Sequence, residues 1–230
     1  IAFNIAYLVG IYLLVFLMFR KYSKLEQREA QEKRMLLYFV SAFLLLALGD
    51  TGHVGFRVIA YALGGLEVQP DVFGMSVPLV GLGTMSTAFT VTVFYMLLLE
   101  VWRLRFNKKR SILYYTLIFA GIIRLVIMLL PQNQWQSTVP PYSWSLLRNS
   151  LLVLQGTGLL ILILNSANKN HDKVFQWIGY CIAVSFIFYT PVILFVKFVP
   201  LIGMLMIPKT LAYVAIAWIG YSQLFRKDKR

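Results

Sequence analysis

The stretch from Gly49 to Arg57 contains three side chains that together can carry acid–base chemistry or bind an anion. Asp50, His53 and Arg57 are separated by three and four residues, so on an α-helix they project from one face. An imidazole titrates near neutral pH and a neighbouring carboxylate tunes it, whereas a guanidinium binds carboxylates and phosphates. This pattern predicts a proton relay, an acid–base pair or a ligand-binding face.

The opposite face of the same predicted helix carries almost no side-chain volume. Gly49, Gly52 and Gly55 repeat at every third residue, and missing side chains let helices approach closely in membranes. A helix with one polar face and one glycine face is poorly suited to lipid, so we expect it near the centre of a bundle. Clustered glycines also weaken a helix, which allows local unwinding beside Asp50.

The elements that position these residues are long apolar runs. Of the 230 residues, 59% are hydrophobic and 13% are charged, against about 45–50% and about 25% in soluble globular domains. Crossing a bilayer takes about 20 mostly apolar residues. The runs of that length are Ala2–Phe19, Leu36–Gly64, Met75–Trp102, Ile112–Leu130, Trp144–Asn165, Val174–Val196 and Leu201–Phe225. The sequence therefore predicts an all-α polytopic membrane protein, a seven-transmembrane-helix bundle that forms one domain over residues 1–230.

The distribution of basic residues predicts how the spans are oriented. The chain has 22 Lys and Arg residues against 9 Asp and Glu, a net charge of +13. Four segments hold 17 of these cations: Arg20–Arg34, Arg103–Arg110, Lys169–Lys173 and Arg226–Arg230. Cytoplasmic loops carry such an excess, so we expect the amino terminus outside and the carboxyl terminus in the cytoplasm. This predicts an integral multi-pass protein of the cytoplasmic or plasma membrane, and it explains the positive charge without nucleic acid.

Two of these basic segments are candidate docking sites. Arg20–Arg34 is polar and rich in helix formers, with Glu29 and Lys33 at the stabilising i,i+4 spacing, and Arg103–Arg110 is short and strongly basic. A cytoplasmic protein partner is a suitable ligand for either segment, and anionic membrane lipid is a suitable ligand for the first. A solvated extension of helix 1 or helix 2 explains the first segment more simply.

Polar residues inside the predicted spans lie at similar depth. Counting about 1.5 Å per residue from the cytoplasmic end of each span places them slightly outward of the bilayer centre. Intramembrane charges normally face a bundle interior or a water-filled cavity, and Asp50 is the only acid at this depth. We therefore expect an outward-opening polar chamber that binds a small anionic solute or a lipid headgroup. The candidate ligand-binding residues are Asp50, His53, Arg57, Thr87, Arg124, Tyr189 and Lys209.

A purely structural network is the alternative interpretation of these residues. Asp50 would then neutralise one cation, while Arg57 and Lys209 would extend toward the outer surface. No metal site is predicted, because zinc needs several histidine, cysteine or carboxylate ligands at one place. The single cysteine, Cys181, and the second histidine, His171, belong to other elements of the chain.

A short internal echo favours a repeated architecture. Val77–Gly81 at the start of helix 3 and Val199–Gly203 at the start of helix 7 share Val-Pro-Leu, an aliphatic residue and Gly. A basic cluster follows each of them after a span of similar length. This echo is typical of a 3+1+3 arrangement, in which helices 1–3 and 5–7 are parallel repeats, a plan that some transporters use.

Seven helices, an outside amino terminus and Lys209 on the last helix together resemble a rhodopsin. The resemblance implies retinal bound to Lys209 with Asp50 as its counterion. The sequence departs from that family because its intramembrane acid lies on helix 2 and helix 3 has no mid-membrane tryptophan. No cofactor is therefore predicted, and retinal on Lys209 is kept only as the option that this resemblance implies.

The sequence supports three functional hypotheses. The first is a transporter for a small anionic solute, coupled to protons through Asp50 and His53. The second is a seven-helix receptor or sensor for an anionic ligand. The third is an intramembrane lipid-modifying enzyme with His53 and Asp50 as its acid–base pair; an enzymatic function is left open but not favoured.

Overall fold

The computed structural model describes residues 2–25, 28–137 and 140–225, which are mainly helical. Seven helices of this described chain are long and apolar enough to cross a membrane, which confirms the predicted seven-helix fold of an integral multi-pass membrane protein. Their α-helical parts are α1 (Ala2–Tyr22), α2 (Ala30–Ala62), α3 (Leu79–Arg105), α4 (Ile112–Leu129), α5 (Tyr142–Lys169), α6 (Lys173–Phe195) and α7 (Met206–Ile219). The seventh span, Pro200–Leu224, is longer than α7 because it includes the helical turns on both sides of it. The basic tail Arg226–Arg230, used to predict the orientation, and residues 26–27 of the Arg20–Arg34 segment lie outside the described residues.

The first half of the chain differs from the predicted spans at two helix starts. α2 begins at Ala30, because the helix formers of the preceding polar segment extend it, as the simpler interpretation of that segment predicts. The predicted start of the third span at Met75 is wrong, since α3 begins only at Leu79, directly after Pro78. α2 continues as one helix past Asp50, so the unwinding that its glycines allow is not observed.

The last predicted span contains three kinds of helical turn. A 3-10 turn, Pro200–Leu205, precedes α7, and a π turn, Gly220–Leu224, follows it. Pro208 lies in the first turn of α7, where its missing N–H group is tolerated, but it disfavours the extension of a regular α-helix further back. The echo Val199–Gly203 therefore leads into a 3-10 turn, whereas Val77–Gly81 leads directly into α3.

The two ends of the bundle carry different loops. Strands β1 (Asp71–Val72) and β2 (Met75–Ser76) pair antiparallel between α2 and α3. Phe73 and Gly74 turn the hairpin with positive φ angles of 56° and 78°, and the Gly74 N–H donates to Asp71 Oδ1 at 2.7 Å. We call this the hairpin end, and the opposite end, where Arg103–Arg110 connects α3 to α4, the basic end.

The helices pack as two groups of three. In the first half, α2 packs along α3 and α1 packs against α2; in the second, α6 packs between α5 and α7. Contacts of α1 with α7 and of α3 with α5 join the halves, and α4 bridges α3 and α5. The amino-terminal and carboxyl-terminal three-helix groups, which we call the two halves, share one hydrophobic core.

The glycine face of α2 packs against α3 at two of its three positions. A Cβ on Gly49 would lie 1.8 Å from Thr90 Oγ1, and a Cβ on Gly52 would lie 2.7 Å from Ser86 Oγ. At Gly55 no heavy atom lies within 4 Å of such a Cβ. Close packing therefore explains Gly49 and Gly52, and the expectation that Gly55 belongs to the same packed face is wrong.

A buried aromatic layer joins the two halves. Ring centroids of successive contacting partners in this layer are 5.0–5.5 Å apart, and every member is at most 8% exposed. The aromatic layer consists of Phe39, Phe43, Phe94, Tyr95, Phe186 and Tyr213. Along each of these helices, the layer lies closer to the basic end than the polar residues predicted to bind a ligand.

Candidate functional site

Asp50 is held by hydroxyl groups from both neighbouring helices. Tyr7 on α1 donates to Asp50 Oδ2 at 2.7 Å, and Thr87 on α3 donates to Asp50 Oδ1 at 2.7 Å. Thr87 is one of the predicted ligand-binding residues, whereas sequence reasoning missed Tyr7. Applying the same depth count to helix 1 would have found it. The carboxylate thus ties together the three helices of the first half.

His53 and Arg57 do not form a hydrogen-bonded relay with Asp50. His53 interacts electrostatically with Arg57 and Asp50, but both Asp50 oxygens accept from Tyr7 and Thr87 instead. The buried His53 Nδ1 has no hydrogen-bond partner within the described ranges. Arg57 is exposed near the hairpin end of α2. The predicted polar face therefore exists, and its acid is bonded to neighbouring helices.

Lys209 is placed over aromatic rings rather than against an acid. Its Nζ lies 4.1 Å from the ring centroid of Tyr189 and 5.7 Å from that of Tyr213, which is cation–π geometry. In the part of the chain that the structure describes, no carboxylate oxygen lies within ion-pair distance of this ammonium. Asp50 and Arg124 act on it at longer range. Lys209 therefore carries a charge that its immediate neighbours do not neutralise.

Tyr189 is fixed in place by a residue that sequence reasoning missed. Its hydroxyl on α6 donates to Asn149 Oδ1 on α5 at 3.1 Å. Asn149 lies on α5 near the depth predicted for the other polar residues, so it could have been recognised from the sequence as a further candidate. The hydrogen bond sets the ring orientation that supports the Lys209 ammonium.

Arg124 is directed at backbone carbonyl groups. Its Nε donates to Arg148 O at 2.7 Å, and its Nη1 donates to Ala88 O at 2.7 Å and also to the hydroxyl of Thr92. The side chain is only 1% exposed. These contacts connect α3, α4 and α5, so Nε and Nη1 of Arg124 are used in holding the fold together.

Arg148 belongs to a cluster of side chains at the hairpin end. Its Nη1 donates to Asn133 Oδ1 at 2.9 Å, and its guanidinium carbon lies 4.5 Å from the ring centroid of Trp135. Trp135 in turn donates from Nε1 to Met128 O at 2.9 Å. This set links the α4–α5 connection to α5 and leaves Arg148 as a structural cation.

One buried side-chain amide has no hydrogen-bond partner among the described residues. Gln155 on α5 is 1% exposed, and neither its Nε2 nor its Oε1 makes a hydrogen bond to any described residue. Its Nε2 lies where a side chain on Gly121 would be, 2.6 Å from an ideal Cβ there. An amide in this setting requires a polar partner such as water.

Six of these side chains form a connected set that we call the polar layer. Asp50 bonds to Tyr7 and Thr87, Tyr189 supports Lys209, and Lys209 interacts electrostatically with Asp50 and Arg124. The polar layer consists of Tyr7, Asp50, Thr87, Arg124, Tyr189 and Lys209.

The charges of the polar layer do not balance. It contains one acid and two cations, with His53 beside it and Arg57 at its edge. Such a layer is suited to binding an anion. For metal binding, the residues described here contain no group of three His, Cys, Asp or Glu side chains that can hold an ion.

Comparisons with known proteins add no assignment to this geometry. No family model matches the chain. No curated protein and no solved structure is significantly similar to it. The polar layer and the packing around it are therefore the features that indicate a function.

Proposed function

We propose that this membrane protein transports a small anionic solute, which binds at Lys209 in the polar layer. The observation that carries this proposal is the ammonium of Lys209, which lies over Tyr189 without a carboxylate at ion-pair distance in the described chain. An unneutralised cation inside a membrane is costly, and such residues mark substrate pathways. A solute carboxylate or phosphate would supply the missing negative charge.

Asp50, the acid of the polar layer, does not compete with a solute anion for Lys209. Asp50 accepts hydrogen bonds from Tyr7 and Thr87, both within its own half of the bundle. Lys209 belongs to the other half. A solute anion at Lys209 would therefore lie between the two three-helix units, where a change in their relative position alters access to the site.

The aromatic layer is the closed side of the proposed pathway. Tyr95 and Phe94 of the first half contact Tyr213 of the second half, on the side of Lys209 that faces the basic end. With the basic end in the cytoplasm, this geometry corresponds to a transporter closed toward the inside. Transport would require the two halves to separate at Tyr95 and Tyr213, as in alternating access between repeats.

The proposal includes proton coupling through Asp50 and His53. His53 Nδ1 is buried without a hydrogen-bond partner among the described residues, and the imidazole interacts electrostatically with Asp50 and Lys209. A solute anion arriving at Lys209 would add negative charge beside this imidazole and so favour its protonation. Anion binding and proton uptake would then be linked.

Uptake by proteoliposomes tests the proposal. The full chain is reconstituted, and uptake of labelled lactate, succinate and inorganic phosphate is measured together with internal pH. Lys209→Gln is expected to lower uptake by about tenfold or more, because a hydrogen bond to a charged group contributes about 1.5–3 kcal/mol. Asp50→Asn is expected to abolish the solute-dependent proton movement.

Lys197 provides the matched control for Lys209. Its Nζ also lies over a tyrosine ring, 5.3 Å from the Tyr142 centroid, but it is exposed between α6 and the 3-10 turn before α7. Lys197→Gln should leave uptake unchanged. Wild-type protein that takes up none of the three anions, or equal losses in both lysine variants, would overturn the proposal.

A receptor or sensor is the second candidate, and the aromatic layer favours it. Because that layer is closed beneath Lys209, an anion can bind there without crossing. In this case the same three anions should bind saturably to the detergent-solubilised protein, with Lys209→Gln weakening binding, while proteoliposomes show no uptake. The basic segments Arg20–Arg34 and Arg103–Arg110 are then the proposed contacts for a cytoplasmic partner.

A further inference from the structure

A groove lies at the basic end, where two helix connections meet side by side. It has a volume of about 620 Å³ and is lined by residues from the α3–α4 and α5–α6 connections. Both connections turn through a residue with positive φ, Asn107 at 48° and His171 at 52°. In both connections a backbone hydrogen bond closes the turn. Lys108 N–H donates to Arg103 O, and Asp172 N–H donates to Ala167 O, each at 2.9 Å. The groove therefore has a defined backbone shape.

Both carboxylate oxygens of Asp172, the acid in this groove, already accept hydrogen bonds. Asp172 Oδ2 accepts from Arg105 Nε at 2.8 Å, and its Oδ1 accepts from the Phe175 N–H at 3.1 Å, where it caps α6. Both oxygens thus have partners within the protein. The carboxylate positions the groove and is neutralised by Arg105.

The charge that is left over in the groove is positive. Lys173 is exposed and, within the described ranges, no acid lies at ion-pair distance from it. His171 and Asn107, also exposed, add polar side chains to the lining. These features together suit a phosphate group.

The surface next to Lys173 identifies the membrane as the source of that phosphate. Trp177 and Tyr180 follow Lys173 at i+4 and i+7, so all three lie on one face of α6. Trp177 is 62% exposed and Tyr180 is 47% exposed. Their ring centroids are 5.9 Å apart in an edge-to-face arrangement. Exposed tryptophan and tyrosine at a helix end are typical of the lipid headgroup level.

We propose that this groove binds the phosphate of an anionic phospholipid, with Lys173 as the principal contact and Arg105, held by Asp172, as a positioning residue. The site is separate from the polar layer and does not depend on the proposed transport function. Binding at this site differs from general attraction of anionic lipid to the basic end, because it should depend only on the cations that line the groove.

Lipid retention in nanodiscs tests this site. The full chain is placed in phosphatidylcholine nanodiscs with or without phosphatidylglycerol, and native mass spectrometry counts the phosphatidylglycerol that stays bound after release. Lys173→Gln is expected to lower retention by about fivefold, the scale for one lysine at a membrane surface. Lys109→Gln, an exposed lysine of the same basic end that does not line the groove, should have no such effect.

A second variant predicts a change of opposite sign. Asp172→Ser removes the negative charge and keeps an oxygen that can cap α6, so phosphatidylglycerol retention should rise while the protein remains folded by circular dichroism. Absence of any rise in a folded Asp172→Ser protein, or equal losses in Lys173→Gln and Lys109→Gln, would overturn the proposal.

Inorganic phosphate distinguishes the two possible sources of the ligand. In nanodiscs of phosphatidylcholine alone, added phosphate should shift the melting temperature little if the ligand is a lipid. A large shift that Lys173→Gln removes would support the phosphate site but assign it to a soluble phosphate. No dependence on Lys173 with either phosphatidylglycerol or inorganic phosphate would reject the site.

Discussion

The hydroxyl of Tyr95 on α3 lies 3.0 Å from the hydroxyl of Tyr213 on α7, and both side chains are buried. This hydrogen bond connects the two three-helix halves within the aromatic layer. Hydrogen bonds between membrane helices contribute about 0.6 kcal/mol on average and up to about 1.7 kcal/mol. The pair is therefore a modest link, weak enough to be broken by the separation of the halves that the proposed transport requires.

A double-mutant cycle on this pair measures the link. Tyr95→Phe leaves the Tyr213 hydroxyl buried without this partner, and we expect it to lower the free energy of unfolding by about 1–2 kcal/mol. The double variant with Tyr213→Phe should lose less than the sum of the single variants, because the hydrogen bond between the two hydroxyls can be lost only once. Denaturant unfolding in detergent micelles measures these values. Tyr115→Phe, an exposed tyrosine on α4, is the control; strictly additive losses would contradict a direct hydrogen bond.

Arg124 is expected to be essential for folding whatever its role toward a solute. Replacement by methionine leaves the carbonyl groups of Ala88 and Arg148 without their guanidinium donor, so the free energy of unfolding should fall by about 2–4 kcal/mol. Arg57→Met, at an exposed position on α2, should change it by less than about 0.5 kcal/mol. Equal stabilities of the two variants by thermal unfolding would show that the backbone contacts of Arg124 contribute nothing.

Two glycine-to-alanine variants should have opposite effects. A Cβ on Gly81 in α3 would lie 1.5 Å from Trp135 O, which is backbone and cannot move aside easily, so Gly81→Ala should destabilise by about 1–3 kcal/mol. At Gly55 in α2 the space is open, and alanine should stabilise the helix by about 0.5–1 kcal/mol. Thermal unfolding of both variants checks this difference in sign.

The predicted orientation has a direct test by cysteine labelling. In a Cys181→Ser background, Phe73→Cys places a thiol at the hairpin tip, where the native side chain is 97% exposed, and Lys109→Cys places one at the basic end. A membrane-impermeant maleimide should label Phe73→Cys in intact cells and Lys109→Cys only after permeabilisation. The reverse pattern would place the basic end outside and would also reverse the direction of the proposed pathway.

The number of helices could be predicted from the sequence, and so could the common level of Asp50 and Thr87, which are hydrogen-bonded. Apolar runs of membrane length are a local property of the chain, and all seven predicted spans contain a helix. The errors concern helix starts near proline: the predicted third span includes Met75 although Pro78 follows it, and the predicted seventh span begins at Leu201 although Pro208 lies in the first turn of α7. Both prolines can be read from the sequence, since proline is favoured in the first helical turn and disfavoured further inside, although α6 accommodates Pro191 in its interior.

The partners of each polar residue could not be predicted in the same way. Asp50 and Thr87 share a depth and do form a hydrogen bond, but depth alone does not show that Tyr7 occupies the second carboxylate oxygen. Arg124 was predicted to contact an anion, and the structure directs its Nε and Nη1 to carbonyl and hydroxyl groups of α3 and α5. That prediction of an anion contact still needs its experiment.

The sequence by itself determined the seven apolar helices, the height of the polar side chains along them and the concentration of positive charge in a few loops. Tertiary structure decided which hydroxyl and carbonyl groups satisfy Asp50 and Arg124, and that Lys209 meets tyrosine rings instead of a carboxylate. The reason is geometric. Helix periodicity sets the direction of a side chain relative to its own axis, whereas the rotation of one helix against another depends on packing between residues distant in the chain.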